Sequence, residues 1–155
     1  MRKQDVTEMD SRMGPASVNR PLTDALGLSN LAMNYYELEP GESFAYGFHA
    51  HDQQEEVFYV QSGTVTFETV EGDVTVEAGE LVRFGPGEYQ QGVNHGEGRV
   101  VALAMGAPQE AGETEILREC EVCGERTPHS LELAEAKNAI LATCESCGAE
   151  TGRFT

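Results

Sequence analysis

Three residues in this chain have the types and spacing to hold a metal ion: His49, His51 and Glu56. Two histidines one residue apart share a face of a β-strand, because strand side chains alternate with period 2. Their imidazoles then point the same way. Glu56 lies five residues beyond His51, an odd offset that an unbroken strand would place on the opposite face. Asp52-Gln53-Gln54 is a polar break that can carry a turn, so Glu56 can open the next strand and converge from across a hairpin. The run Glu56 to Ser62, ended by Gly63, reads as that strand. Two imidazoles and one carboxylate with open positions suit a divalent transition metal. Fe would support oxygenase chemistry, and Mn, Ni or Zn Lewis-acid chemistry. No general base or nucleophile stands out beside them.

A second set lies near the C-terminus. Cys120 and Cys123 form one C-x2-C pair, and Cys144 and Cys147 another, with twenty residues between the pairs. That spacing reads as a zinc site. Each pair is followed by a glycine, Gly124 or Gly148. A glycine there lets the backbone take positive φ and fold a tight knuckle with both thiolates facing inward. Two knuckles make a tetrahedral S4 site with no open position, which implies a structural zinc. Disulfides would need an export signal, and none accompanies the cysteines. His129 is a weaker candidate ligand, since four thiolates already suffice. The segment resembles a zinc ribbon over about residues 118 to 149.

These residues need strands to position them. Leu31 to Glu39, Ser43 to His51, Val57 to Gln61, Thr64 to Val70, Val74 to Glu77, Leu81 to Phe84 and Arg99 to Met105 read as strands. Pro40-Gly41, Glu71-Gly72-Asp73 and Ala78-Gly79-Glu80 mark turns, and Leu22 to Leu26 one helical turn stopped by Gly27. Short strands at this spacing imply an all-β sandwich or barrel. On Ser43 to His51, period 2 puts the histidines with Ser43, Ala45 and Gly47, and Phe44, Tyr46 and Phe48 on the other face. Alternation alone leaves open which face is inside. If the histidines are inside, the aromatic row must be covered, by the N-terminal segment or by a second copy in a homodimer.

The first constellation resembles the first motif of the cupin superfamily: a glycine, H-x-H, three or four residues, E, six residues, G. Gly41 comes seven residues before His49, where the usual gap is five, and the rest fits with Glu56 as the ligand and Glu55 facing away. The second cupin motif is a glycine, five residues, P-x-G, two residues, H, three residues, N. Here it reads Gly79, Gly85-Pro86-Gly87, Gln90 and Asn94. Gly85 stands for the usual proline and Gln90 for the usual histidine ligand. The resemblance covers roughly residues 21 to 106. It implies a double-stranded β-helix, or jelly roll, closing around a ligand cavity, with the histidines inside. It also implies that Gln90 takes the fourth ligand position, as a weaker neutral donor or as a hydrogen-bonding group only. His95 is a poor substitute, five places further on. Arg83 could meet an anionic ligand or pair on the surface. Cupins commonly dimerise through a sheet face.

A chain of 155 residues fits one domain plus an appendage. The expected organisation is a disordered segment at 1–20, a cupin barrel at 21–106, a linker at 107–117 and a zinc ribbon at 118–155. No apolar run suggests a signal peptide or membrane span, so a cytoplasmic location is expected. Acidic residues outnumber basic ones 27 to 10, giving a net charge of −17. Such a surface repels polyphosphates and argues against nucleic acid as a partner. Lys3 and Lys137 are the only lysines, and the acids are spread along the chain. That composition resembles proteins of extreme halophiles.

The expectation is therefore an all-β cupin jelly roll with a C-terminal zinc ribbon, holding a divalent metal on His49, His51, Glu56 and Gln90. It would act on or bind a small polar metabolite. As an enzyme it would be a metal-dependent dioxygenase or isomerase. The alternatives are a non-catalytic ligand sensor and a protein that docks partners through its ribbon.

Overall fold

The computed structural model describes residues 1–155. After a 3-10 turn at Val6–Glu8 come β1 (Val18–Pro21), the short helix α1 (Thr23–Leu26), β2 (Ala32–Leu38), β3 (Phe48–His51) and β4 (Glu55–Ser62). Next come β5 (Thr64–Thr69), β6 (Gly72–Glu77), β7 (Leu81–Phe84), β8 (Gln90–Val93) and β9 (Val100–Ala107). The chain ends with β10 (Thr114–Cys120), β11 (Glu125–Leu133), β12 (Ile140–Cys144) and β13 (Glu150–Phe154). One sheet has the order β1-β2-β9-β4-β7 and the other β13-β12-β11-β10-β3-β8-β5-β6. All named pairings are antiparallel, as in a jelly roll. No helix is long and apolar enough to cross a membrane.

Alternation along the strands builds the core. Val100, Ala102 and Ala104 of β9, Phe58 and Val60 of β4, and Val65 and Phe67 of β5 turn inward. Their neighbours on each strand are more exposed. Phe58 and Phe67 lie 5.0 Å apart between ring centroids, and Phe67 and Phe84 lie 5.3 Å apart. Each fully buried Phe or Val contributes roughly 1.5–3 kcal/mol, so this cluster dominates the barrel's stability.

Four expectations change. The strand foreseen at Ser43 to His51 exists only as Phe48–His51. The Ser43 hydroxyl donates to the Ala45 carbonyl at 2.7 Å, a local bond that competes with the sheet ladder. The resulting bend breaks the alternation, and Phe44 turns into the core, 4.9 Å from Phe58. Phe48 is buried against Tyr89 at 5.4 Å, with the Arg126 guanidinium 4.8 Å from its ring. Tyr46 packs edge-on to Phe154 and donates to the Met13 carbonyl. Of the three, only Phe44 joins the core cluster; Tyr46 is covered by the N-terminal segment, the other cover foreseen, and Phe48 by Tyr89 and Arg126, so no bare aromatic row calls for a second copy.

Second, the stretch foreseen as disordered to residue 20 includes most of β1, which pairs with β2, and Ala16 is part of the core. Third, β9 extends to Ala107 and β10 starts at Thr114, so the connection between them is shorter than the foreseen 107–117 linker. Fourth, β10 pairs directly with β3, Thr114 opposite His51 and Leu117 opposite Phe48. The C-terminal hairpins therefore extend a barrel sheet.

Candidate metal centre

The three ligand candidates meet between the two sheets. His49 and His51 sit on β3, and Gln90 on β8 lies directly opposite His49. Glu56 is on β4, in the other sheet. Its odd offset from His51 is absorbed by Asp52–Gln54, which carries the chain from one sheet to the other. It is not a hairpin, since β3 and β4 do not pair. One ligand atom from each of His49, His51 and Glu56 lies within 4.8 Å of the others.

Hydrogen bonds aim these side chains. His49 Nδ1 donates to the Gly47 carbonyl at 3.1 Å, which leaves its Nε2 with a bare lone pair. His51 Nδ1 lies 2.8 Å from Thr114 Oγ1 on β10, and its Nε2 is 3.7 Å from Glu56 Oε2. Such outer partners fix ring orientation at metal sites. The Gln90 amide nitrogen donates to Glu56 Oε2 at 3.2 Å and stands 3.4 Å from His49 Nε2. Gln90 is 2% exposed, yet its Oε1 has no hydrogen-bond partner. A half-turn of the amide would present that oxygen to the cluster instead.

Burial governs the charges. It pushes the His49 imidazolium down to about 4, with the neighbouring His51 adding to the shift. His51 is lowered too, again chiefly by burial. Burial raises Glu56 to about 7, and the Gln90 hydrogen bond only partly offsets this. At neutral pH both imidazoles are therefore uncharged donors, and the buried Glu56 carboxyl, with no cation beside it, is only partly ionised. The donor set and the unpartnered Gln90 oxygen fit a divalent metal.

The centre opens on a cavity of about 380 Å³. Tyr36, Phe44, Phe58, Ile116 and Leu131 form its apolar wall, and Asn34 and Gln54 add amides. No lysine or arginine lines it. Thr114, Ile116 and Leu131 come from β10 and β11, which the sequence alone did not connect to this site. Gln54, foreseen only as part of a polar break, is 6% exposed and donates to the Pro108 carbonyl at 2.8 Å. Asn94 is fully buried and bonds the carbonyls of Leu38 and Gly98, a structural role for the end of the second motif. Arg83 pairs with Glu55 at 2.7 Å on the surface, and His95 is exposed.

The cysteines form a second cluster. One sulfur from each of Cys120, Cys123, Cys144 and Cys147 lies within 4.8 Å of the others, and all four are free thiols. The two turns match: the Gly124 amide donates to Cys120 O and the Gly148 amide to Cys144 O, each at 2.8 Å. The two glycines have φ of 75° and 77°, as the knuckle requires. The Thr127 hydroxyl, 3.1 Å from Cys144 Sγ, is the largest influence drawing that thiol down to about 6. Crowding by the other sulfurs raises Cys123 to about 12, with Cys147 its main neighbour. His129 is outside the cluster. Its Nδ1 bonds the Thr127 carbonyl, and its buried Nε2 has no partner.

Comparison with known proteins agrees with this architecture. Residues 34–106, from within β2 almost to the end of β9, match a family model described as a cupin domain. A search of curated proteins returns no match. A sugar phosphate isomerase of the cupin superfamily from Silicibacter pomeroyi superposes with a TM-score of 0.61 and 22% identity, over 96% of this chain and 91% of that one. A proposed sugar phosphate isomerase from Acidithiobacillus ferrooxidans gives 0.62 and 19%, over 100% and 90%. The polyketide cyclase RemF from Streptomyces resistomycificus gives 0.63 and 22%, over 78% and 88%. At these identities the likeness is one of fold. The first two superpositions are long enough to take in C-terminal strands as well as the barrel. Residues 34–106 thus match the cupin domain family, and the jelly roll built around them has the cupin fold.

Proposed function

We propose that this cupin domain holds one divalent transition metal on His49, His51 and Glu56, with the Gln90 amide oxygen as a weaker fourth donor. A small metabolite would bind beside it. The observation that carries this reading is the convergence of two neutral imidazoles and a buried, cation-free carboxylate on one cavity. When bound, the metal would supply Lewis-acid or oxygen chemistry. The chain's own residues hold and orient the ligand. Its carbon skeleton would rest on Phe44, Phe58 and Tyr36, and its polar end would reach the histidines. The cysteine quartet would hold a structural zinc.

The neighbours described as sugar phosphate isomerases make an isomerase reading worth testing. The absence of any cationic side chain from the cavity wall argues against a phosphate lodging there, and for an uncharged ligand. Apart from Tyr36 and Tyr46, every titratable group on that wall belongs to the ligand set. That supports the second reading, a ligand sensor with no turnover. Electron paramagnetic resonance of added Mn²⁺ tests the site itself, because thiolates bind this ion poorly. A broadened bound signal should appear in the parent and vanish in Glu56→Gln. Equal binding by the variant would remove Glu56 from the site. Oxygen uptake or product formation by the loaded protein then separates enzyme from sensor.

A further inference from the structure

We propose a second site, for a small oxyanion of the phosphate class, in a groove of about 740 Å³ outside the barrel, where the N-terminal segment, the bend before β3 and strand β13 meet. Arg12, Arg118 and Arg153 all line it, with Gln91. In a chain with 27 acidic and 10 basic residues, an arginine without a carboxylate partner is the exception. Arg20, Arg83, Arg99, Arg126 and Arg153 each pair with a glutamate. Arg2, Arg12 and Arg118 form no such pair; Arg2 bonds the Asp24 carbonyl elsewhere, and the other two face this groove.

Arg118 is half-buried and held in place. Its Nε bonds Thr151 Oγ1, one Nη bonds the Tyr46 carbonyl, and the other bonds the Thr151 carbonyl. Its guanidinium also lies 5.3 Å from the Phe154 ring. A guanidinium has five N–H donors, so two remain after these three bonds. Burial pulls Arg118 below its ordinary value, and no carboxylate pairs with it. The Arg12 side chain donates no hydrogen bond and is exposed. Glu42 also lines the groove; its Oε2 accepts from the amides of Ser17 and Glu39 at 2.8 Å, which fixes the side chain but leaves a negative charge that the arginines must outweigh. Two guanidinia lining one groove, one fixed and one free, are suited to gripping phosphate oxygens, since each fork can bind bidentately. The net charge of −17 opposes any anion at long range, but salt screens that field and leaves the local contacts.

Tyr46 lines both this groove and the metal-centre cavity. The bound phosphate could therefore be a free ion, or one end of a ligand whose other end passes Tyr46 toward the histidines. The groove itself does not depend on the metal-site reading.

Calorimetric titration of the full chain with inorganic phosphate, at fixed ionic strength, tests the proposal. The parent should show saturable binding at one site, and Arg12→Glu should weaken it by roughly tenfold or more, as expected for lost charge-assisted hydrogen bonds. Arg2→Glu changes the net charge equally outside the groove and should leave binding intact. Arg153→Gln should weaken binding in the same direction as Arg12→Glu. A second titration uses a hexose monophosphate on the metal-loaded parent and on His49→Ala/His51→Ala. Tighter binding than phosphate that depends on the histidines makes the groove the phosphate end of the metal-site ligand. Affinity equal to phosphate, indifferent to the histidines, makes it a free-anion site. No saturable phosphate binding by the parent, or equal losses in Arg2→Glu and Arg12→Glu, would overturn the proposal.

Discussion

Glu56 and His49 are displaced in opposite directions by the same burial. Glu56 rises from 4.5 to about 7 and His49 falls from 6.5 to about 4. Between about pH 4.5 and 6.5 the folded, metal-free chain keeps a proton on Glu56 that the unfolded chain releases. It also lacks one on His49 that the unfolded chain binds. By linkage the first lowers stability as pH rises and the second raises it, and His51, also lowered by burial, adds to the second, so the slopes oppose. The clearer pH dependence should appear in metal binding, because the Glu56 proton must leave. Mn²⁺ titrations in buffers of different ionisation enthalpy should show about one proton released per ion at pH 6 and almost none at pH 8. Proton release that does not change between these values would contradict the buried, protonated Glu56. The candidate ligand residues were legible because H-x-H has one geometric meaning on a strand, and the cysteine spacing one meaning in a pair of knuckles. Thr114, Gln54 and Leu131 were not, because their roles arise from contacts across the sheets, with no local pattern to announce them.

At the scale of elements, β10 joins the two clusters. It starts at Thr114, which bonds His51, and ends at Cys120, the first thiol of the quartet. From β11, paired to it, Leu131 reaches the cavity wall. The sequence suggested a barrel and a ribbon joined by a linker at 107–117, hence two separate cores. Sheet continuity changes that expectation. Cys144→Ser should raise amide hydrogen exchange in β10 to β13 and also in β3, with β2, β4 and β9 still protected by the aromatic core. Unchanged exchange in β3 would show that the clusters are mechanically independent. Most barrel strands were readable from alternation and turn glycines. The pattern failed at Ser43 to Gly47, where a serine bonds its own backbone, and at β8, whose Gln90-Gln91-Gly92 carries no apolar alternation. The pairing of β10 with β3 is long-range and invisible in either segment alone.

For the whole molecule, a net charge of −17 on 155 residues makes self-repulsion a global influence on stability. The Debye length falls from about 10 Å at 0.1 M salt to about 3 Å at 1 M. The melting temperature should therefore rise with potassium chloride across that range, and a flat or falling trend would contradict a halophile-type surface. The central claim is that this chain carries two chemically distinct metal sites, one between the jelly-roll sheets and one in the cysteine knuckles. Elemental analysis of protein purified without chelator tests it most directly. The parent should carry two metal ions per chain, one of them zinc. His49→Ala/His51→Ala should keep the zinc and lose the other, whereas a parent that retains no more metal than this variant would contradict the account.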